Sequence, residues 1–415
     1  MRVAHIITRM IIGGAQENTL FNCLDLIEHH GDEVMLITGP ALGPEGDLLD
    51  RSGFSRDPSD LQGTSEKKGM SGSRGRAGEL KIEMLPSFRR NINPIHDWAA
   101  STAIRKAIKQ FRPDVVHTHS AKGGLLGRKV AWSLGVPAVI HTVHGAPFHE
   151  FQPRLAREFF RLCERYAASR CHHMISVADA MTDLMVRSGV APRDKFTTIY
   201  SGMDVDPFLN ADEHRSRIRA RYNIGSDRVV VGKIARLFHL KGHVDLINAA
   251  QSVVRRCPDV LFLLVGDGIL KESLTRQIES LGLTDHFIFA GLVAPTEVPA
   301  LIGAMDVLVH TSLREGLARA LPQALIAGKP AVSYDVDGAR EVVISGETGF
   351  LVPVRDIATL SESLVQLVQN ESLRQQLGRA GRQRFTDRFR HQTMTAQIRE
   401  LYLRILAENA SGTKG

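Results

Sequence analysis

Glu315 and Gly316 stand at the head of the run Arg314-Glu315-Gly316-Leu317-Ala318-Arg319-Ala320-Leu321-Pro322-Gln323-Ala324-Leu325, which reads as the opening of an apolar helix with Gln323 two turns in. A helix opening presents unpaired N–H groups and the positive end of the peptide dipoles, so it attracts phosphate. A carboxylate just ahead of it repels phosphate and suits sugar hydroxyls instead. The segment therefore suggests a ligand that is half diphosphate and half sugar.

Two cations in a second segment fit the same ligand. In Lys233-Ile234-Ala235-Arg236-Leu237-Phe238-His239-Leu240-Lys241-Gly242, Arg236 and Lys241 flank a loop between an apolar strand and a helix. Arginine offers a fixed fork of donors and lysine a mobile point charge, so the two can converge on one diphosphate. They would stabilise the charge that develops on a departing nucleotide. The alternative is two solvated surface charges; their place at the carboxyl end of a strand favours function. No G-x-x-x-x-G-K-[ST] occurs, which excludes ordinary P-loop chemistry.

Ile12-Gly13-Gly14 lies between the first strand and first helix, where glycines let amides approach a phosphate or sugar; an ordinary tight turn is the equal alternative. No full G-x-G-x-x-G is present and no acidic residue ends the second strand, so a hydride-transfer dinucleotide site is not expected. Val265-Gly266-Asp267-Gly268 reads as a turn or a place of close approach. In Asp335-Val336-Asp337-Gly338-Ala339-Arg340-Glu341, Gly338 reads as part of a further helix opening, Asp337 as its N-cap, and Glu341 as a group able to orient the loop.

Five histidines, His117, His119, His141, His144 and His149, invite a metal reading. Strand alternation puts His117 and His119 on one face but His141 and His144 on opposite ones, which argues against a local metal site. His144, after a strand end and before Gly145, is expected to face a cleft as a hydrogen-bonding or proton-handling group. His117 and His119 read equally well as structural histidines. Arg154, Arg157, Arg161 and Arg165 recur at helical spacing, with Leu155, Phe159, Leu162 and Tyr166 on other faces. Such a helix can lie against anionic lipid, or be a solvated face balanced by Glu158 and Glu164. Arg89, Arg90, Lys122, Arg128 and Lys129 add charge to the same region.

The elements that must position these groups alternate along the chain. Apolar runs predict strands at 2–8, 33–38, 81–85, 114–118, 137–143, 172–176 and 196–200, then 228–235, 259–265, 286–290, 306–310 and 330–334. Continuous apolar strands separated by helical patterns, such as 15–30, 94–110, 243–256 and 269–281, imply parallel sheets buried on both faces. At 415 residues the chain exceeds the ~250–300 of a single core. Two doubly wound domains are expected: 1–203, and 204–385 carrying the second series. Residues 386–415 should form a final helix, over 385–408, and a frayed tail from 409, packing back toward the N-terminal domain. Residues 55–78 are polar and glycine-rich, which predicts a disordered insertion.

The net charge of +7 suits an anionic partner, while 6% aromatics without basic interleaving argue against nucleic acid. The four cysteines form no C-x-x-C pair and read as reduced, buried side chains. No apolar run reaches the ~18 residues of a membrane span, and Arg9 follows the first apolar run too soon for a signal peptide, so a cytoplasmic protein is expected.

Taken together, these residues resemble the retaining glycosyltransferases of family four, which have the GT-B fold. The likeness spans nearly the whole chain except 55–78. It is carried by Gly13-Gly14, His117-Thr118-His119-Ser120, His141-Thr142-Val143-His144-Gly145, Tyr200-Ser201-Gly202-Met203-Asp204, Arg236 with Lys241-Gly242, Gly266-Asp267-Gly268 and Glu315-Gly316. Within the family the chain is similar to enzymes that build bacterial surface polysaccharides on a polyprenyl-diphosphate carrier.

The resemblance implies two Rossmann-like domains facing a central cleft, the N-terminal one on the acceptor side and the C-terminal one on the nucleotide-sugar side. Arg236 and Lys241 would hold the donor diphosphate with the amides of Gly316 and Leu317. Glu315 would contact the donor sugar, His144 would approach it from the first domain, and the backbone near Leu292 would meet the base. Gln323 stands where the family usually has a ribose-binding glutamate; an amide keeps a carbonyl oxygen but loses the charge.

The implied activity is transfer of a hexosyl group with retention from a nucleoside-diphosphate sugar, foremost a UDP-sugar, to a hydroxyl of a lipid-linked or saccharide acceptor in cell-surface polysaccharide synthesis. No metal or cofactor is implied. The leaving diphosphate would help deprotonate the acceptor, and domain closure would exclude water. The partners are the nucleotide sugar, a polyprenyl-diphosphate-linked saccharide and the anionic inner face of the plasma membrane, with the protein peripheral there. Two alternatives remain: a non-catalytic nucleotide-sugar-binding protein of the same pathway, and a GT-B epimerase acting on a UDP-sugar. A glycosidase is disfavoured for want of a facing carboxylate pair.

Overall fold

The computed structural model describes residues 1–42, 46–52, 80–149 and 152–412. The insertion expected at 55–78 lies outside the described residues, as do 413–415 of the expected tail. The chain divides into two compact units, Met1–Met203 with Arg390–Gly415, and Asp204–Phe389.

The first unit holds β1 (Arg2–Arg9), β2 (Glu33–Gly39), β3 (Lys81–Met84), β4 (Val115–His119), β5 (Ala138–Val143), β6 (His173–Ser176) and β7 (Phe196–Thr198) in one parallel sheet, ordered β3-β2-β1-β4-β5-β6-β7. Strand order reverses between β1 and β4, the position where doubly wound sheets open a binding crevice beyond their carboxyl ends. Four helices matter most here: α1 (Gly14–Glu28), α2 (Pro94–Phe111), α3 (Ala121–Ser133) and α4 (Arg154–Ala168). The start of α2 is set by Asn93, whose side chain accepts from the amides of Ile95 and His96, with Pro94 at the first helical position.

The second unit holds β8 (Val229–Ile234), β9 (Val260–Val265), β10 (Phe287–Gly291), β11 (Val307–His310), β12 (Ala331–Tyr334) and β13 (Gly349–Val352), ordered β10-β9-β8-β11-β12-β13 and again parallel. Its switch point lies between β8 and β11. Two helices matter here, α5 (His243–Arg256) and α6 (Ala320–Ile326). Every strand expected from an apolar run is present. The edge strand β13 was not expected: its apolar run, Gly349-Phe350-Leu351-Val352, is only four residues long and is followed at once by Pro353, and only its first and last residues are buried.

The last helix, α7 (His391–Gly412), belongs to the first unit and packs on α1. Asp25 on α1 accepts from Thr395 Oγ1 at 2.9 Å and meets His391 Nδ1 at 2.8 Å, while Arg399 Nε donates to Asp32 at 2.8 Å. Two expectations need correction. Phe385 ends the preceding helix, Glu371–Phe385, because a short turn at Asp387–Phe389 with the buried Phe389 ring intervenes before α7 begins. Residues 409–412 are helical rather than frayed, with Asn409 Nδ2 donating to Pro137 O at 2.7 Å. The four cysteines are free; Cys23, Cys171 and Cys257 are buried and Cys163 is half-buried.

Candidate active site

In the second unit, the loops that leave β8, β11 and β12 are tied together around the switch point. Lys241 Nζ pairs with Glu315 Oε1. Several bonds hold this pair in place. Gly242 is left-handed at φ 63°, and a Cβ there would lie 1.9 Å from Thr311 O, so only glycine lets the Lys241 turn approach the β11 loop so closely. Thr311 Oγ1 donates to Gly242 O at 2.6 Å, and Leu313 N donates to Leu240 O at 2.9 Å. Glu315 N donates to Asp337 Oδ2 at 2.7 Å, and Gly338 N to Gly316 O at 3.0 Å.

The loops after β8, β9 and β10 form a second arc. Leu237 N donates to Asp267 O at 3.0 Å, and Gly266 N donates to Gly291 O at 2.9 Å. Gly266, at φ 136°, lies so near Ala235 that a Cβ would meet its carbonyl oxygen at 2.2 Å. Arg236 therefore stands on a loop braced by Gly266–Gly268, and Leu292, largely exposed, follows the residue that closes the arc. The Arg236 guanidinium lies 4.9 Å from the Phe238 ring centroid. Such a contact is worth about 0.5–1 kcal/mol at an exposed site, little enough to give way to a diphosphate.

One expected feature is absent. No helix opens at Gly316: α6 begins at Ala320, and Gly316 and Leu317 lie in irregular backbone. Pro322 is the cause. It has no N–H, so a helix starting at Gly316 would place it where it had to donate to Ala318 and would clash there. With α6 starting at Ala320, Pro322 falls harmlessly in the first turn, as does the half-buried Gln323. The amides of Gly316 and Leu317 are therefore loop amides, not a helix mouth. Asp337 likewise does not cap its own short helix, Asp337–Glu341; its carboxylate reaches back to Glu315.

Lys233, unremarked in the sequence, sits beneath the pair. It is fully buried on β8 and donates to Thr311 Oγ1 at 2.8 Å. Burial, assisted by the Lys241 charge, lowers its pKa to about 7. His310 Nε2 is 3.8 Å from Glu315 Oε1, but burial holds that imidazole well below its usual pKa, so the contact is not an ion pair. The pKa of Lys233 has a measurable consequence. Unfolded, the lysine keeps its ordinary value of 10.5. Between about pH 7 and 10.5 the unfolded chain binds the extra proton, so the cost of burying this ammonium is full below pH 7 and fades as pH rises. Lys233→Met should raise stability by a few kcal/mol (on the order of one per pKa unit) at pH 6.5. Urea denaturation at pH 6.5 and 10 should find the gain only at the lower pH, and an equal gain at both would contradict this assignment.

In the first unit, Gly13 and Gly14 open α1 beside the end of β1, as expected. His5 on β1 and His117 on β4 are in register, and His119 follows two residues on, so all three share one face. His119 Nδ1 lies 3.1 Å from His144 Nε2. The ligand atoms of His5, His117 and His119 come close enough to suggest a metal site. Their bonding disfavours it: His117 Nδ1 meets Tyr402 OH at 2.6 Å and its Nε2 meets Thr142 Oγ1 at 2.7 Å, so neither nitrogen is available. The rings of His117 and His119 also pack against each other, with centroids 4.2 Å apart and planes tilted by 36°. His141 turns to the other face and meets Thr118 Oγ1 at 2.9 Å.

The family model described as Glycosyltransferase Family 4 matches residues 16–207, and that of Glycosyl transferases group 1 matches 214–384. The chain is 25% identical, over 90% of its length and 89% of the relative's, to a UDP-Gal:alpha-D-GlcNAc-diphosphoundecaprenol alpha-1,3-galactosyltransferase of Escherichia coli. It is 30% identical to a 2-deoxystreptamine N-acetyl-D-glucosaminyltransferase of Streptomyces fradiae, over 64% of this chain and 66% of that one. Its fold matches that of Anabaena Alr3699/HepE, solved in complex with UDP, with a TM-score of 0.76 at 20% identity, covering 97% and 99% of the two chains. With the two family models accounting in turn for its two Rossmann-like units, the chain belongs to the family-four glycosyltransferases of the GT-B fold.

Proposed function

We propose that this glycosyltransferase moves a hexosyl group, with retention and without a metal ion, from a UDP-sugar to a hydroxyl of a lipid-linked saccharide in surface-polysaccharide synthesis. The observation that carries the reading is the Lys241–Glu315 pair at the β8/β11 switch point. A cation and an anion side by side suit a ligand whose diphosphate takes the lysine and whose sugar hydroxyls take the carboxylate. Lys241 and Arg236 would neutralise the leaving diphosphate, the task a divalent ion performs elsewhere. Departure of the diphosphate on the face where the acceptor arrives would let its oxygen take the acceptor proton. Gln323 would keep one hydrogen bond to the ribose, and His144 would meet a substrate hydroxyl. Kinship to the Escherichia coli enzyme supports the lipid-linked acceptor; kinship to the Streptomyces fradiae enzyme keeps a small soluble acceptor in view.

The test is release of UDP or GDP from a panel of nucleotide sugars, with polyprenyl-diphosphate-linked N-acetylglucosamine or an aminocyclitol as acceptor and EDTA present. The product anomer is then read by NMR. Turnover only with the lipid-linked acceptor, with retention, is expected. Change of the sugar without acceptor would instead indicate an epimerase, and binding without release in every pairing a non-catalytic protein.

The chain's surface supports a membrane encounter. Leu155, Phe159, Leu162 and Tyr166 on α4 are all exposed, 87% for Leu155, so they form an outward apolar stripe flanked by Arg154 and Arg165. Ile92, Ile95 and Trp98 at the start of α2 are exposed too, beside Arg89 and Arg90. Arg128 does not join this basic surface: it is fully buried and paired with Glu164 at 3.0 Å. No helix among the described residues is long and apolar enough to cross a membrane. Flotation with phosphatidylglycerol vesicles should lift the protein at low salt, and replacing Leu155 and Phe159 by serine should reduce the floated fraction several-fold. Equal flotation of the variant would remove α4 from the contact.

A further inference from the structure

Four cations are buried among the described residues, and three of them face a carboxylate: Arg128 with Glu164 at 3.0 Å, Arg219 with Asp306 at 2.8 Å and Lys329 with Asp212 at 2.6 Å. Lys233 is the fourth, and its one hydrogen bond among the described residues goes to a hydroxyl, Thr311 Oγ1. A buried ammonium with no anion beside it is costly, so the position is one where an incoming anion would be felt.

Thr311 links Lys233 to the Lys241 turn. Its Oγ1 donates to Gly242 O at 2.6 Å, so its only proton is committed and Lys233 must be the donor to it. The lysine can make that bond neutral or charged, since an amine keeps two N–H groups and an ammonium has three. Protonation therefore changes the charge beneath the Lys241–Glu315 pair without breaking the tie to the turn.

The charges around Lys233 oppose one another. Lys241 on the loop after β8 disfavours its proton, while Glu315 beyond β11 and Asp245 on α5 favour it. Asp245 also accepts from Tyr334 OH of β12 at 2.9 Å. His243 on α5 and His310 on β11 complete the surroundings. Burial, with the two lysines, pushes His243 to about 3 and His310 well below its usual value, so both are neutral near pH 8. Burial leaves Lys233 itself at about 7. A diphosphate drawn to Lys241 brings negative charge into this setting, and nearby negative charge favours the ammonium.

We propose that Lys233, tied through Thr311 to the Lys241 turn, is a positioning residue that takes a proton from solvent when a nucleoside diphosphate settles on Lys241. It then supplies a further cation under the diphosphate without touching it. The inference rests on the reading that Lys241 holds the diphosphate. Linkage fixes the sign: above pH 7 the free protein gives up this proton and the complex keeps it, so affinity falls as pH rises. The terminal phosphate of UDP, a phosphomonoester ionising at about pH 6, works the other way.

UDP would be titrated calorimetrically into the full chain. At pH 8, binding heats in Hepes and in Tris, which differ in ionisation enthalpy, should report uptake of about half a proton or more per site. The Kd for UDP should rise about five-fold or more from pH 7 to 8.5. In Lys233→Met the uptake should vanish and the Kd should stay within about two-fold over the same range. Uptake that persists in Lys233→Met would place the proton elsewhere, for instance on the exposed His239 of the same turn, and overturn the proposal. Heats independent of buffer in the parent chain would overturn it without any variant, while leaving the diphosphate reading in place. No UDP binding at either pH would remove both.

Discussion

Lys241→Ala should lower the turnover of sugar transfer by about 10²–10³-fold, the usual loss when one charge-stabilising group is removed from a preorganised site. The expectation follows from how Lys241 is held. Gly242 sets its turn against Thr311, the Leu313–Leu240 backbone bond fixes the two loops, and the ammonium is already at the carboxyl end of β8 before any ligand arrives. A charge placed in advance costs no rearrangement when the diphosphate begins to leave. Glu315, the partner left behind, has a side chain 24% exposed, so the unpaired carboxylate stays hydrated and the fold should survive. Arg256→Ala makes the control: it removes an exposed ion pair with Glu362 and should alter turnover no more than ordinary surface changes do. Steady-state kinetics with the preferred donor, beside circular dichroism of each variant, would decide the matter. Turnover of Lys241→Ala within three-fold of the parent would remove Lys241 from the diphosphate site.

Most of the fold was legible because strands buried on both faces are written as unbroken apolar runs. Val260–Val265 is six such residues, all buried. Strand β13 was missed although Gly349-Phe350-Leu351-Val352 is apolar: the run is only four residues long and Pro353, which cannot donate to a ladder, follows it, so the segment reads equally well as the approach to a turn. In the site, Arg236, Lys241 and Glu315 were visible as chemistry at strand ends. Their supports were not. Asp337 reaches Glu315 from 22 residues away and Lys233 reaches Thr311 across 78, distances over which one chain gives no pairing signal. Lys233 did leave a trace, as a lone charge in the apolar run of β8, where an unpaired ammonium is expensive and so calls for explanation. The misplaced helix start had its own warning in Pro322, which outweighs Gly316 because a missing N–H constrains a helix more than a permissive glycine does.

Glu315→Gln should lower transfer by at least ten-fold while leaving UDP binding unchanged or tighter. The two effects separate because the carboxylate has two relations in the site. Towards a hexose it is an acceptor for hydroxyl protons, and the amide keeps one carbonyl oxygen but loses the charge that strengthens those bonds as positive character grows on the sugar. Towards the nucleotide it is a competitor: without ligand it holds Lys241, so a diphosphate must draw that ammonium away from an anion and then sit near it. Removing the charge frees Lys241 and relieves the repulsion. The backbone should not move, because Glu315 N is held by Asp337 through the main chain whatever the side chain. Calorimetry with UDP alone and turnover with the full donor measure the two halves independently. Loss of UDP affinity in parallel with turnover would mean that Glu315 supports the diphosphate and not the sugar. Lys241→Ala/Glu315→Gln sharpens the comparison: if the pair is exchanged for ligand contacts as described, the double variant should bind UDP no more weakly than Lys241→Ala does.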